Sequence, residues 1–262
     1  AQFIVSFTFI IKEKILAYIK VNAFNRKLAK EMIVYSLPLI PNKVSWTIIN
    51  LSDRIVLMNV LGSAATGLYA VSYKFPNLMD TVYGFFYQAW KESSARILEN
   101  GREAEKNFYN TVYSYLKNFM YAIVLGMIAF MPLVFHLLIN ENYYDAIFYV
   151  PILLLGTYFS NISGFYGGIF TAYKDTKIMG TTTVIAAIIN LTVNLALIHW
   201  IGIYAAAGST LIANVVVYIY RKWKVNKYVA LQEYPLKTAA SLVATGAILV
   251  LFYSENSVCI LF

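Results

Sequence analysis

The chain has 262 residues, 60% of them hydrophobic and 13% charged, and a mean hydropathy of +0.61. A soluble domain carries about 25% charged and roughly 45–50% apolar residues, so a large soluble globule is excluded. The formal net charge of +8 would suit a nucleic-acid partner, but the positions of the basic residues assign them to membrane topology instead.

In chain order, "AQFIVSFTFII" has no basic residue before its apolar run and is too short to span a bilayer. It reads as a partial helix, 1–11, leaving the membrane. Residues 12–32 form a basic connection with scattered apolar contacts at Ile15, Ile19 and Leu28, which suits a segment lying on the membrane surface. Apolar stretches then recur at lengths that cross a bilayer as helix. They predict spans at about 33–61, 67–90, 111–135, 147–172, 178–200, 203–220 and 238–253, with a second partial helix at 258–262. The predicted fold is an all-α, polytopic transmembrane helix bundle forming a single integral membrane domain over 1–262, read as a piece of a larger protein.

Of the 21 Lys and Arg residues, 17 fall in alternate connections: 12–32, 91–110, 173–177 and 221–237. The intervening connections, 62–66, 136–146, 201–202 and 254–257, contain none. This is the positive-inside pattern, which puts the basic connections in the cytoplasm. The segment "KESSARILENGREAEKNFYN" reads as a short helix, a break and a second helix. Residues 136–146 read as an acidic, aromatic outer loop.

The first two complete spans carry charges that lipid does not tolerate. Lys43, Thr47, Asn50 and Arg54 recur at helical spacing and share one face, with Asp53 beside it. In the next span Tyr69, Tyr73, Pro76, Asp80, Tyr83 and Tyr87 do the same, with Lys74 and Asn77 adjoining. A charge facing lipid at mid-membrane costs at least about 2.5–3.5 kcal/mol, so these groups face the bundle interior or a wet cavity. Pro38, Pro41 and Pro76 should kink or break their helices. Two readings of the charges stand open. Asp53–Arg54 and Lys74–Asp80 are ion pairs that hold the bundle, or the charges line a hydrated, cationic cavity for an anionic substrate, with Arg or Lys meeting phosphate oxygens. The tyrosines fit either core packing or a cavity wall. In later spans, Thr157, Asn161, Gly164 and Gly168, and separately Asn190 and Asn194, put small or amide side chains on one face, which suits close helix packing.

The sequence contains no GxxxxGK[ST], HExxH or GxSxG, and no His/Cys set with metal spacing. Cys259 is the only cysteine. No cofactor, metal site, nucleic-acid partner or enzymatic activity is expected.

The stretches "LSDRIVLMNVLGSAATGLYAVSYKFPN" and "AYKDTKIMGTTTVIAAIINLTVNLALIHWIGIYAAAGSTLIANVVVYIY" resemble bacterial polysaccharide-unit flippases of the O-antigen/capsule type. These belong to the multidrug/oligosaccharidyl-lipid/polysaccharide exporter superfamily. The resemblance implies the C-terminal lobe of a two-lobed exporter fold in the bacterial cytoplasmic (inner) membrane. It implies flipping of undecaprenyl-diphosphate-linked oligosaccharide units by alternating access, for surface polysaccharide synthesis. The implied partners are that lipid-linked glycan, membrane lipids, an N-terminal lobe of the same protein and a polysaccharide polymerase with other assembly proteins. The residues matching the cavity pattern are Lys43, Asp53, Arg54, Lys74 and Asp80. Asn50 extends the binding set, and Tyr69, Tyr73 and Tyr83 form its aromatic wall. Two rivals remain: a multidrug cation antiporter of the same superfamily, which would prefer acids and aromatics, and a membrane-embedded polysaccharide polymerase or ligase.

Overall fold

The computed structural model describes residues 7–9, 11–13, 25–233 and 235–259. Most of the expected terminal helices, 1–11 and 258–262, lies outside them. The chain divides into two compact units, Ala1–Leu37 and Pro38–Phe262. In the first, helix α1 (Arg26–Ser36) is N-capped by Asn25, whose side chain accepts from the Lys27 and Leu28 amides. An Asn cap satisfies two of the orphan donors of a helix start.

The second unit is an all-helical bundle: α2 (Leu39–Val60), α3 (Gly62–Ser72), α4 (Lys74–Arg96), α5 (Arg102–Leu138), α6 (Val150–Ala172), α7 (Lys177–Ile201), α8 (Ile203–Val225) and α9 (Pro235–Cys259). Helix α8 packs between α6 and α7, α2 lies on α7, α4 on α6, and α5 joins α6 and α9. Among the described residues, Arg102–Leu138, Glu141–Ala172, Lys177–Ile201 and Ile203–Val225 are long and apolar enough to cross a membrane. Helices α2 and α4 carry Lys43, Asp53, Arg54, Lys74 and Asp80, which lowers their hydropathy. The outward surface is apolar, with Phe85, Phe130 and Leu138 well exposed. Trp200 and Trp223 are 86% and 65% exposed. The 21 helical residues from Ile203 to Trp223 span about 30 Å, one hydrocarbon thickness, a spacing that suits the two indoles to opposite interfaces. This is a membrane protein.

Breaks in the helices follow local chemistry. The α3–α4 kink falls at Tyr73, three residues before Pro76, which lacks the N–H that Ser72 O would accept and crowds that carbonyl. The Ser72 hydroxyl donates to Ala146 O at 2.8 Å. At Gly101 a φ of 88° ends a 3₁₀ turn, Ile97–Asn100, and only glycine adopts that conformation without strain.

Several structural details differ from the sequence reading, among them residues 62–66, read as an outer connection but helical as the start of α3. Most of the expected outer loop is helical: α5 continues to Leu138, and a 3₁₀ helix, Glu141–Tyr149, tucks Ala146 and Ile147 into the core. The loop reading followed the polar residues, but those face outward while the apolar ones are buried. Arg221 is not in a connection, because α8 runs on to Val225. Its guanidinium, 2% exposed, donates to Thr182 Oγ1, Ser163 O and Met179 O at 3.0, 3.1 and 3.4 Å. It thereby ties α6, α7 and α8 together.

Close helix packing rests on α6. A Cβ at Gly164 would lie 2.5 Å from the Tyr83 hydroxyl, and one at Gly168 would lie 2.2 Å from Trp90 Nε1. The small-residue face expected from sequence therefore seats α4. The α8–α9 connection is latched to α5. Tyr113 donates to Glu233 at 2.8 Å, and Lys222 pairs with the same carboxylate at 2.7 Å. Burial alone would raise the Glu233 pKa, but the hydrogen bonds from Lys222 and Tyr113 and the charge of Lys117 outweigh it. The group is held below its ordinary value of 4.5. A carboxylate lowered in this way stabilises the fold above its unfolded pKa and loses that contribution as pH falls through the folded one. Hydrogen-exchange protection of residues 226–233 is therefore expected to stay constant from neutral pH down to about 4.5 and to fall below it. Glu233→Gln should remove the acid step, and unchanged wild-type protection in stronger acid would refute the latch.

Candidate functional site

The site is built where α2, α3 and α4 meet α7 and α8. Asp53 is 1% exposed and accepts three hydrogen bonds from three helices. Tyr69 Oη donates at 2.8 Å from α3, Asn194 Nδ2 at 2.9 Å from α7, and Thr210 Oγ1 at 2.7 Å from α8. Asn190 extends the cage, donating to Ser209 and Thr210 at 3.2 and 3.1 Å and accepting from Ser52 at 3.4 Å. Neutral donors thus satisfy this buried carboxylate without a counter-cation. Because the Tyr69 and Thr210 hydroxyls can rotate to donate or accept, the same cage can hold the carboxylate or the carboxylic acid.

Arg54, the next residue, points the other way. It is exposed and lines a cleft of about 210 Å³ with Asn50, Leu51, Tyr73, Asn77 and Asp80. Tyr73 Oη donates to Asn50 Oδ1 at 3.3 Å, and the Tyr73 ring lies 5.5 Å from that of Tyr69. The two tyrosines therefore join the buried carboxylate to the cleft. Among the described residues the ion pairs are Arg96–Glu92 and Lys222–Glu233. Of the two readings left open by the sequence, the one with ion pairs Asp53–Arg54 and Lys74–Asp80 is not met among the described residues. Adjacent residues on a helix diverge by about 100°, and Asp53 spends its oxygens on the neutral donors.

These features combine a buried acid with a charged cleft on α2 and α4. A family model described as "Polysaccharide biosynthesis protein" matches residues 2–147, more than half of the 262. The chain belongs to that family. A membrane protein of Methanocaldococcus jannaschii, itself described as uncharacterized, is 26% identical over 226 residues, covering 81% of this chain and 45% of the relative. The fold is similar to that of solved transporters. A MATE transporter of Vibrio cholerae, VcmN, in its bent form, superposes with a TM-score of 0.69 at 20% identity, covering 90% of this chain and 56% of that one. A MOP superfamily transporter from Pyrococcus furiosus, described as having a binding pocket of reverse polarity, gives 0.64 at 19% identity, covering 87% and 53%. The chain thus spans about half the length of the relatives it matches.

In this family member the sequence-nominated residues are dispersed. Asn50, Arg54, Tyr73 and Asp80 share the cleft, and Asp53 lies behind it with Tyr69. Lys43 is exposed on the same face of α2, about 10 Å along the axis from Asn50, and does not line the cleft. Lys74 lines a different groove with Leu138, Ile139, Asn140 and Tyr143. Tyr83 lies at the α4–α6 contact, against Gly164 and near the rings of Phe86 and Tyr87. The cleft itself therefore holds one cation and one anion, Arg54 and Asp80, rather than a basic surplus. The residues that sequence reasoning left out of the site are Asn190, Asn194, Ser209 and Thr210. Their signal was present as Asn-x-x-x-Asn and Ser-Thr in apolar helices, but nothing in the sequence connects positions 194 and 210 to position 53.

Proposed function

We propose that the full-length protein flips undecaprenyl-diphosphate-linked oligosaccharide units across the bacterial cytoplasmic membrane by alternating access, serving surface polysaccharide synthesis. The observation that carries this reading is Arg54: an exposed guanidinium in a polar cleft, with no carboxylate within 4.0 Å among the described residues. A planar five-donor fork suits the oxygens of a diphosphate. Asn50, Asn77 and Tyr73 offer hydrogen bonds and ring surface to a sugar. Asp53, able to rest in its cage in either protonation state, is the group we assign to coupling transport to a cation. Membership of a polysaccharide biosynthesis family supports the substrate class. This role requires no chemistry by the protein, so it acts as a transporter and not as an enzyme. A second reading, a multidrug cation antiporter, draws on the exposed Asp80 in the same cleft and on the fold shared with MATE transporters.

The two readings separate on variants of the full-length protein in a strain lacking its own exporter. Arg54→Ala is expected to cut surface polymer at least about tenfold at matched protein abundance, the weight of one charge-assisted hydrogen bond. Arg54→Lys should retain part of the export, because it keeps the charge and loses the fork. Since Arg54 does not neutralise Asp53, Asp53→Asn/Arg54→Gln should not restore function. Normal polymer in Arg54→Ala, together with a loss of drug resistance in Asp80→Asn, would favour the antiporter.

A further inference from the structure

The α3–α4 kink aims two consecutive residues into separate compartments. Tyr73 lines the Arg54 cleft, whereas Lys74 lines a groove of about 430 Å³ bounded by Gly67, Ala70, Val71, Leu138, Ile139, Asn140 and Tyr143. Lys74 is the only charged residue in that lining. It is exposed and has no carboxylate within 4.0 Å among the described residues. It lies 12 residues into the α3–α4 run, about 18 Å along the helix axis from Gly62. An unpaired ammonium beside the exposed apolar Leu138 is costly against hydrocarbon and is retained where an anion or water meets it.

The rest of the groove complements one kind of anion. Asn140 uses its Oδ1 to cap the Asn142 amide at 3.0 Å, which leaves its side-chain N–H groups for a ligand. The helical run Glu141–Ala172 begins beside it, and a helix start favours negative charge. Glu141 and Asp145 on the same segment are exposed and do not line the groove. Every other wall is aliphatic or aromatic. Gly67 and Ala70 provide the width, and Leu138, 77% exposed, opens one side to lipid. The lining is too sparse in polar groups to read a glycan, but it matches one phosphate with an acyl chain beside it. We propose that this groove, distinct from the Arg54 cleft, holds an anionic phospholipid, with Lys74 and Asn140 on the phosphate and the α3–α5 walls on the chain. A lipid bound there touches the hinge between α3 and α4, so its occupancy would bias the helix that shapes the cleft.

The test uses full-length protein equilibrated in vesicles of equal parts phosphatidylglycerol and phosphatidylcholine, with retained lipid counted by native mass spectrometry. Wild type and Lys74→Arg should keep one phosphatidylglycerol that Lys74→Gln loses, with affinity at least about tenfold weaker in the latter. Gly67→Leu should lose it as well. A Cβ at Gly67 meets only Tyr143 Cε1 at 3.4 Å, so the larger side chain enters the groove without displacing backbone. Equal phosphatidylglycerol retention by wild type and Lys74→Gln, with unchanged melting temperatures, would overturn the site. So would phosphatidylcholine retained as well as phosphatidylglycerol. Preferential displacement of phosphatidylglycerol by undecaprenyl phosphate would also overturn the assignment and make the groove a site for the carrier lipid.

Discussion

Asp53→Ala is expected to destabilise the bundle by about 3 kcal/mol or more, since each buried donor left without an acceptor costs roughly 1–3 kcal/mol. Three are stranded at once: the hydroxyls of Tyr69 and Thr210 and the amide of Asn194. They sit on α3, α8 and α7, so the loss falls on the contacts that hold α2 against the bundle. Asp53→Asn keeps the shape and one carbonyl acceptor, and the two hydroxyls can turn to accept from its amide. Its cost should be about 1 kcal/mol. Thermal unfolding of the purified full-length protein ranks the three forms. If Asp53 only organises the fold, Asp53→Asn will still export polymer. If it also couples transport, Asp53→Asn will be stable and inactive. A melting temperature for Asp53→Ala equal to wild type would show that the cage contributes little.

Gly168→Ala should be comparably damaging despite adding one methyl group. The new Cβ would lie 2.2 Å from Trp90 Nε1 and 2.6 Å from Cδ1, and the indole cannot give way. Its N–H is bonded to Phe165 O at 3.0 Å, and its ring stacks on Phe165 with centroids 4.2 Å apart, with Phe86 and Phe108 also close. Overpacking of such a site costs about 1–3 kcal/mol, and the lost hydrogen bond adds about 1 kcal/mol. Gly126→Ala is the matched control. Nothing lies within 4 Å of a Cβ there, so inside α5 it should be neutral or stabilising. Equal melting temperatures for the two variants would show that α4 is not seated on Gly168.

The all-helical membrane fold was legible because apolar length and the alternation of basic connections report the bilayer directly, without tertiary information. The α3–α4 kink was legible too, because Pro76 acts on its own turn. Side-chain partnership was the harder part. Asp53 and Arg54 are neighbours in sequence, which invited the ion-pair reading, yet the helix turns them to different compartments. Position 53 meets positions 194 and 210 only after α7 and α8 have packed. Lys43, Arg54 and Lys74 counted together as a basic surplus in the sequence, but the fold gives them three different surroundings. Residues 141–146 were read as loop because their helical character depends on burying Ala146 against α3, a contact with no local signature.

The most direct measurement is flipping by the full-length protein reconstituted in vesicles loaded with a fluorescent undecaprenyl-diphosphate-linked oligosaccharide. Exposure of the sugar to an external reagent is followed over time. The expected result is protein-dependent flipping that Arg54→Ala slows at least about tenfold, while a monovalent organic cation supplied as an alternative cargo is not moved. Flipping no faster than in protein-free vesicles, or extrusion of the cation in place of the glycan, would contradict a role in moving lipid-linked oligosaccharide.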